Sequence, residues 1–291
     1  MKKSTKKISI LIFLLCAAAD LFVWHAVAFG GASHGIYEMH FLNIGQGDSE
    51  LAVFPGGIGV LTDAGPDRSV ASALERVLPQ GRKYLDLAII SHPQLDHFNG
   101  FNELIRTYEI GAFLINGRDD EPPLAAWDEL KRAIGEKGIP LVVVGKGDRI
   151  VIGSSTIDIL SPGREFIQSG ELNDTGLVER IATPSFSTLL TADTGINIED
   201  YLLKEGTAVT ADILKVGHHG SKYSSSPEFL KAVSPKVAVI SVGAKNRYGH
   251  PSPETLDRLH AAGILTFRTD QDGTVSVIGT AERKIKVYKG K

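Results

Sequence analysis

Apolar residues alternate, cluster and recur at helical spacing in two successive rounds along this chain. In the first round, residues 37–44 alternate loosely, 50–54 follow the turn Gly45-Gln46-Gly47-Asp48, and Gly56-Gly57 marks a hairpin into 59–62. Val70, Ala73, Leu74, Val77 and Leu78 then fall on one face of a helix over 69–78. Residues 85–90, apolar but for Asp86, predict a buried strand that stops at Ser91-His92, with helices from about 99 and over 123–137. Strands over 140–144, 148–152 and 156–160 lead into a polar, Gly/Ser-rich loop over 161–176. The plan then repeats, with strands over 177–183 and 186–190, a helix over 198–204 and a strand over 212–216. A helix over 227–233, strand over 237–242, helix over 253–262 and strand over 264–268 follow, and 274–278 with 284–288 form a closing strand pair. Hairpins open each round and βα units close it. That order predicts an αββα sandwich, two sheets face to face with helices outside and polar loops gathered along one edge.

Residues 1–30 stand apart from this pattern. Lys2, Lys3, Lys6 and Lys7 precede apolar runs over 8–19 and 21–29, interrupted only by Asp20 and His25. A basic start followed by an apolar stretch of about 20 residues reads as a signal-anchor that spans a bilayer, or as a secretory signal. Ala26-Val27-Ala28 has the small-x-small form of a cleavage site, so both readings stand. Either way the expectation is an extracytoplasmic domain over 31–291, membrane-anchored by one segment or secreted after cleavage. A lipoprotein is excluded, because Leu15 rather than a small residue precedes Cys16. Cys16 is the single cysteine, so the 31–291 domain has no thiol and any metal there must be held by His, Asp, Glu or Asn.

Charge narrows the partners. The 291-residue chain carries 31 basic and 34 acidic side chains; setting aside residues 1–29 removes four lysines and one aspartate and leaves 27 against 33. An acidic domain is not a general nucleic-acid binder, so any such contact must be local.

Candidate chemistry lies in four clusters, each after an apolar strand. Ser91-His92-Pro93-Gln94-Leu95-Asp96-His97 puts two histidines and a carboxylate on one loop, a set that suits zinc, manganese or iron. Asp193 ends an apolar strand, where a lone aspartate is ordinarily a turn former or cap. His218-His219 lies between glycines that let the backbone turn tightly, and Asn246-Arg247-Tyr248-Gly249-His250-Pro251 adds a fifth histidine. Five of the nine histidines therefore sit in these loops, which points to one metal site that activates water. Lys215, Lys222, Lys245 and Arg247 crowd the same loops. They suit an anionic, phosphate-bearing substrate, and equally suit a solvated surface.

These runs, with Phe41-Leu42-Asn43-Ile44-Gly45-Gln46-Gly47-Asp48-Ser49, Leu61-Thr62-Asp63-Ala64-Gly65 and Arg268-Thr269-Asp270-Gln271-Asp272-Gly273, resemble a known family. From about 37 to 278 the chain is similar to the extracytoplasmic metallo-β-lactamase-like domain of ComEC-type DNA-uptake (competence) proteins, without their multi-span channel. The resemblance implies the four-layer αββα fold and one or two divalent metal ions, zinc or manganese. It implies His92 on one metal and Asp96 and His97 on the other, Asp193 as bridging carboxylate, and His219 as the later histidine ligand beside His218. By the same resemblance Asp96 orients the attacking water and His250 acts at the leaving group, while Asp63 supports the metal loop from behind the ligands. The resemblance implies Gln94 and Asn173 near the metal, and Ser221, Lys222, Asn246 and Arg247 are the expected substrate contacts on the same loops.

Two positions depart from the family. Gln94 replaces a metal-binding carboxylate, and Asn43 replaces an aspartate. A neutral amide is a weaker ligand, so the resemblance leaves one metal or two. The expected function is a hydrolase cleaving a phosphodiester, DNA in a competence setting. The alternatives are a phosphodiesterase for phosphocholine or nucleotides, and a non-catalytic module binding DNA or a wall polymer on a degraded site.

Overall fold

The computed structural model describes residues 36–119, 124–168, 170–280 and 284–290. The expected signal or anchor segment lies outside the described residues, and among those described no helix is long and apolar enough to cross a membrane.

The first round of the chain builds one sheet and its helices. β1 (Glu38–Phe41), β2 (Glu50–Phe54) and β3 (Ile58–Thr62) form an antiparallel meander, followed by α1 (Ser69–Val77) and β4 (Tyr84–Ile90). α2 (Leu95–Phe98) and α3 (Gly100–Thr107) lead to β5 (Glu109–Ile115), and α4 (Ala125–Glu136) to β6 (Leu141–Val143). The second round builds the other sheet, opening with β7 (Arg149–Ile152) and β8 (Ser155–Ser161). α5 (Arg164–Ile167) and a 3-10 turn over Leu172–Thr175 precede β9 (Val178–Ala182) and β10 (Ser187–Leu190). α6 (Ile196–Lys204), β11 (Ile213–Lys215), α7 (Pro227–Val233), β12 (Val237–Ile240), α8 (Pro253–Ala261) and β13 (Leu265–Arg268) continue in alternation. The single turn α9 (Thr269–Asp272) leads to β14 (Val275–Gly279) and β15 (Ile285–Lys289).

The strand orders are β15-β14-β1-β2-β3-β4-β5-β6 and β13-β12-β11-β10-β9-β8-β7. The closing strand pair thus returns to the first sheet, where β14 runs antiparallel to β1 with Met39 opposite Val277. Period-two alternation sorts the side chains: Val60 of β3 faces the other sheet, whereas Leu61 faces the helices. β4 is apolar on both faces because it is covered on both, with Ile89 between the sheets and Leu85, Ala88 and Ile90 under α1, α3 and α4. A third cluster seats α6, α7 and α8 on the second sheet through Leu202, Phe229, Leu230 and Leu259. These layers are the αββα sandwich that the pattern predicts.

The differences are local. The 161–176 loop contains α5 and the 3-10 turn, and the helix expected from about 99 is preceded by α2, which begins inside the histidine motif. α7 and α8 start where Ser226 and Ser252 accept hydrogen bonds from the amides of Phe229 and Thr255, with Pro at the first helical position. Those caps fix the ends of the loops that carry His218, His219 and His250.

Candidate metal centre

Loops at one edge of the sandwich bring together residues from both sheets. Asp63 follows β3 and the 91–97 motif follows β4, while Asp193 follows β10, His218-His219 follows β11 and the 243–251 loop follows β12. Six described non-glycine residues have positive φ, and Asp63, Ala192, His218 and His219 are four of them. Left-handed backbone costs such residues energy and persists where the surroundings impose it. Backbone strain is concentrated at this edge.

One atom each from Asp96, His97, Asp193 and His219 lies within 4.8 Å of the others. Asp193 Oδ2 is 3.4 Å from both His97 Nε2 and His219 Nε2, and Asp96 Oδ2 is 3.3 Å from His219 Nε2. Bonds of about 2.0–2.1 Å to a tetrahedral zinc would put ligand atoms about 3.3 Å apart, so the spacing fits a cation at the centre. The outer nitrogens are committed. His97 Nδ1 donates to Asp63 Oδ2 at 2.7 Å, and His219 Nδ1 donates to the Ser241 carbonyl at 2.9 Å. Ser91 Oγ donates to Asp63 at 2.7 Å, so the His92 Nδ1–H, 2.9 Å away, donates to that hydroxyl in turn. In its neutral form each ring has its Nε2 lone pair facing inward. The Nε2 atoms of His92, His97 and His219 and Oδ1 of Asp193 are buried without hydrogen-bond partners among the described residues. Ligand histidines oriented from behind, with free inner nitrogens, are what a divalent cation requires. The donor set fits.

Electrostatics agree. Burial raises the cost of charging Asp193, yet His219 and His97 outweigh it and hold its carboxyl well below the usual range. The same balance of burial against His219 and His97 lowers Asp96. Against burial, Asp193 holds His97 and His219 well above the ordinary histidine value. The cluster therefore calls for positive charge, which a cation supplies in place of two protons. Burial and the neighbouring His97 push His92 down to about 4, which keeps it neutral and able to bind metal. Burial, then His218 and His219, also lower His250, which favours a neutral hydrogen-bond donor over a charged acid near neutral pH.

The other candidate residues divide into those near the cluster and those spent elsewhere. The His92 and His97 rings lie 4.2 Å apart between centroids, and His218 lies 5.7 Å from His250. Gln94 Nε2 donates to Asn173 Oδ1 at 2.5 Å, and Asn173 Nδ2 lies 3.5 Å from the His218 ring. Gln94 and Asn173 are thus tied to each other beside the histidines. Asn246, expected at the substrate, uses its amide on its own loop: it donates to the Gly243 and His250 carbonyls and accepts from the Tyr248 and His250 amides. Ser221 is buried, its hydroxyl accepting from the Tyr223 amide, so it shapes the turn. Lys222 and Arg247 are exposed on the rim.

Lys215 corrects the expectation of a surface cation. It is 1% exposed, ion-paired with buried Asp48, donates to the Ala192 carbonyl at 3.0 Å, and lies 4.0 Å from Asp193 Oδ1. Asp48 in turn lies 3.3 Å from His219 Nδ1. Sequence reasoning missed this layer, along with Ser241, and the signal available was a carboxylate following Gly47 and a lysine two residues before the Gly-His-His turn. Gly47 is required there: a Cβ would sit 2.3 Å from the Asp96 carbonyl, which accepts the Asp48 amide at 3.1 Å.

Comparison with known proteins decides the family. The Metallo-beta-lactamase superfamily profile matches residues 45–244, more than two thirds of the chain and every ligand candidate. The chain belongs to the metallo-β-lactamase superfamily. Within this superfamily it resembles ComEC-like competence proteins. It is 33% identical over 256 residues to ComE operon protein 3 of Bacillus subtilis, covering 82% of this chain and 32% of that protein. It is 28% identical over 270 residues to recombination protein 2 of Haemophilus influenzae, covering 91% of this chain and 31% of that protein. The chain spans about a third of the length of these relatives. Among solved structures, the metallo-β-lactamase-fold protein YhfI of Bacillus subtilis matches with a TM-score of 0.54 at 16% identity, over 80% of this chain and 96% of that one. That likeness concerns the superfamily fold alone.

Proposed function

We propose that this protein is a metal-dependent phosphodiesterase whose substrate is the DNA backbone, working outside the membrane to which residues 1–30 direct it. The observation that carries the reading is the inward set of unpartnered donors, drawn from both sheets and held by Asp63 and Ser241. Asp96, His97, Asp193 and His219 would hold one zinc or manganese ion. His92, and His218 with its Nε2 3.9 Å from Asp193 Oδ2, would offer donors for a second. A divalent cation held there would supply Lewis acidity, lowering the pKa of water to about 7 and polarising the ester.

The chain's own residues do the rest. Asp96, 31% exposed at its side chain, accepts a hydrogen bond from the attacking water and orients it, and Asp63 keeps the His97 ring from turning away. His250 donates a hydrogen bond to a phosphoryl or leaving-group oxygen, and the Asn246-braced loop holds it in place. Lys222 and Arg247 on the rim attract the phosphate. The competence relatives support DNA over other phosphodiesters.

Elemental analysis of the full chain, with and without Gln94→Asp, tests the reading together with phosphodiester cleavage. One metal per chain, rising toward two with Asp at position 94, and cleavage abolished by Asp193→Ala in a folded protein are expected. No metal in either protein after incubation with zinc and manganese would overturn it and leave the binding module. Protease accessibility of the domain in intact cells tests its place outside the membrane.

A further inference from the structure

The two most exposed aromatic rings among the described residues are Tyr223, 67% exposed, and Tyr248, 62% exposed. Water-facing rings of that size cost free energy wherever they lie, and these two stand on the two loops that flank the metal-ligand cluster. Tyr223 follows the His218-His219 turn, and Tyr248 precedes His250. The loops close on each other: the Ser252 amide donates to the Gly220 carbonyl at 2.8 Å, and a Cβ at Gly220 would lie 2.6 Å from Pro251. Tyr248 lies stacked on His250 with 6.1 Å between centroids and 18° between planes, and His250 is 5.7 Å from His218. A row of rings thus runs from the rim to the ligands.

The charges on these loops narrow what the rings receive. Lys222, Lys245 and Arg247 are exposed and have no carboxylate within ion-pair distance among the described residues, in a domain that is acidic as a whole. The Lys222 ammonium sits 5.0 Å from the centre of the Tyr223 ring. Tyrosine faces alone would also suit a quaternary ammonium head, but three unpaired cations repel one. Rings interleaved with unpaired cations are the composition of a surface that stacks bases and tracks phosphates, and a duplex keeps its bases stacked inside and out of reach.

We propose that Tyr223 and Tyr248 are specificity-determining residues that stack unpaired bases beside the scissile phosphate, so that the site takes single-stranded rather than duplex nucleic acid. The inference rests on the phosphodiesterase reading and adds to it the form of the substrate. Lys222 and Arg247 hold the phosphates on either side, and the rings read the presence of a base without reading its identity.

The test uses the full chain with metal chelated, so that nothing is cut. Fluorescence anisotropy would measure binding of a labelled oligothymidine strand, an abasic strand of equal length, and the matching duplex. Wild type is expected to bind the base-bearing strand roughly tenfold or more tighter than the abasic strand or the duplex. Tyr223→Ala with Tyr248→Ala should bring the base-bearing strand down to the abasic level, and the two Tyr→Phe replacements should restore the difference. Equal binding of base-bearing and abasic strands, tighter binding of the duplex, or no effect of the Ala pair overturns the proposal. Cleavage after metal is added keeps the two readings apart. A strand bound in this pattern but never cut retains the rim and removes the hydrolase. Equal cutting of all three probes, with Tyr-independent binding, does the reverse.

Discussion

The Lys215–Asp48 pair lies under the ligand cluster with both side chains about 1% exposed. Lys215→Met keeps most of the side-chain volume and deletes one charge, leaving the Asp48 carboxylate in a site where water cannot reach it. Burial works to lower the lysine's pKa, but Asp48, Glu50 and Asp193 hold it well above its ordinary value, so the ammonium is present throughout the working range. Breaking one side of a buried pair costs roughly 3–5 kcal/mol, because the surviving Asp48 charge loses its largest compensating partner and keeps only His219 and His97. The Ala192 carbonyl is not orphaned, since the His218 amide still reaches it at 3.0 Å. At about 2–4 °C per kcal/mol for a domain of this size, the melting temperature should fall by roughly 6–20 °C. Adding Asp48→Asn removes the stranded charge, so the double variant should regain most of the loss. Urea unfolding followed by circular dichroism, near neutral pH with metal chelated, measures both. A single-variant loss below about 1 kcal/mol, or a double variant no more stable than the single, would refute the reasoning.

Three further outcomes follow from the same geometry. Burial pushes Glu179 up to about 8 in the folded protein from an ordinary 4.5, so between those values the unfolded chain releases a proton that the folded chain keeps. Its contribution to stability therefore declines as pH rises from about 4.5 to about 8, by up to about 1.4 kcal/mol per unit, and is constant above. Glu179→Gln should gain on wild type across that window in urea unfolding, and parallel pH profiles would contradict this. Gly47→Ala places a Cβ 2.3 Å from the Asp96 carbonyl at φ +129 and should cost roughly 2–5 kcal/mol, together with metal affinity measured by calorimetry. Unchanged affinity would show that the 45–48 loop does not set the position of Asp96. Asp63→Asn should weaken metal binding by roughly 10–100-fold while leaving the chain folded, because His97 loses the carboxylate that orients it. Metal titration of the variant checks that range.

Much of the site was legible because metal chemistry admits few residue types, and these stand where apolar strands end: His92 and His97 after β4, Asp193 after β10, His218 and His219 after β11. The layer underneath was not. A charged residue in a strand pattern reads as facing solvent, yet Glu50, Glu179 and Lys215 all point between the sheets, where each is at most 2% exposed. Only the docking of the second sheet reveals that Glu50 accepts from the Ser241 hydroxyl and Glu179 from that of Thr62. Left-handed backbone at Asp63, Ala192, His218 and His219 is likewise silent in sequence, because these residues give no glycine signal. The rim cations were legible as a group but not individually. Nothing in the Leu214-Lys215 run distinguishes a buried counter-ion from a surface lysine until β11 is seen covered on both faces.

The ligand candidates straddle the two rounds of the chain, with Asp96 and His97 on α2 after β4 of the first sheet and Asp193 and His219 after β10 and β11 of the second. A cation among them would act as a rivet through the edge of the sandwich, joining halves already held by the apolar layer and by buried polar pairs such as Lys215–Asp48 and Glu50–Ser241. Loading and folding then become one equilibrium, and the domain gains stability with the logarithm of the ratio of free metal to its dissociation constant. Scarcity of the ion would loosen the protein as well as silence it, and amide exchange along β3 and β10 would register that loosening.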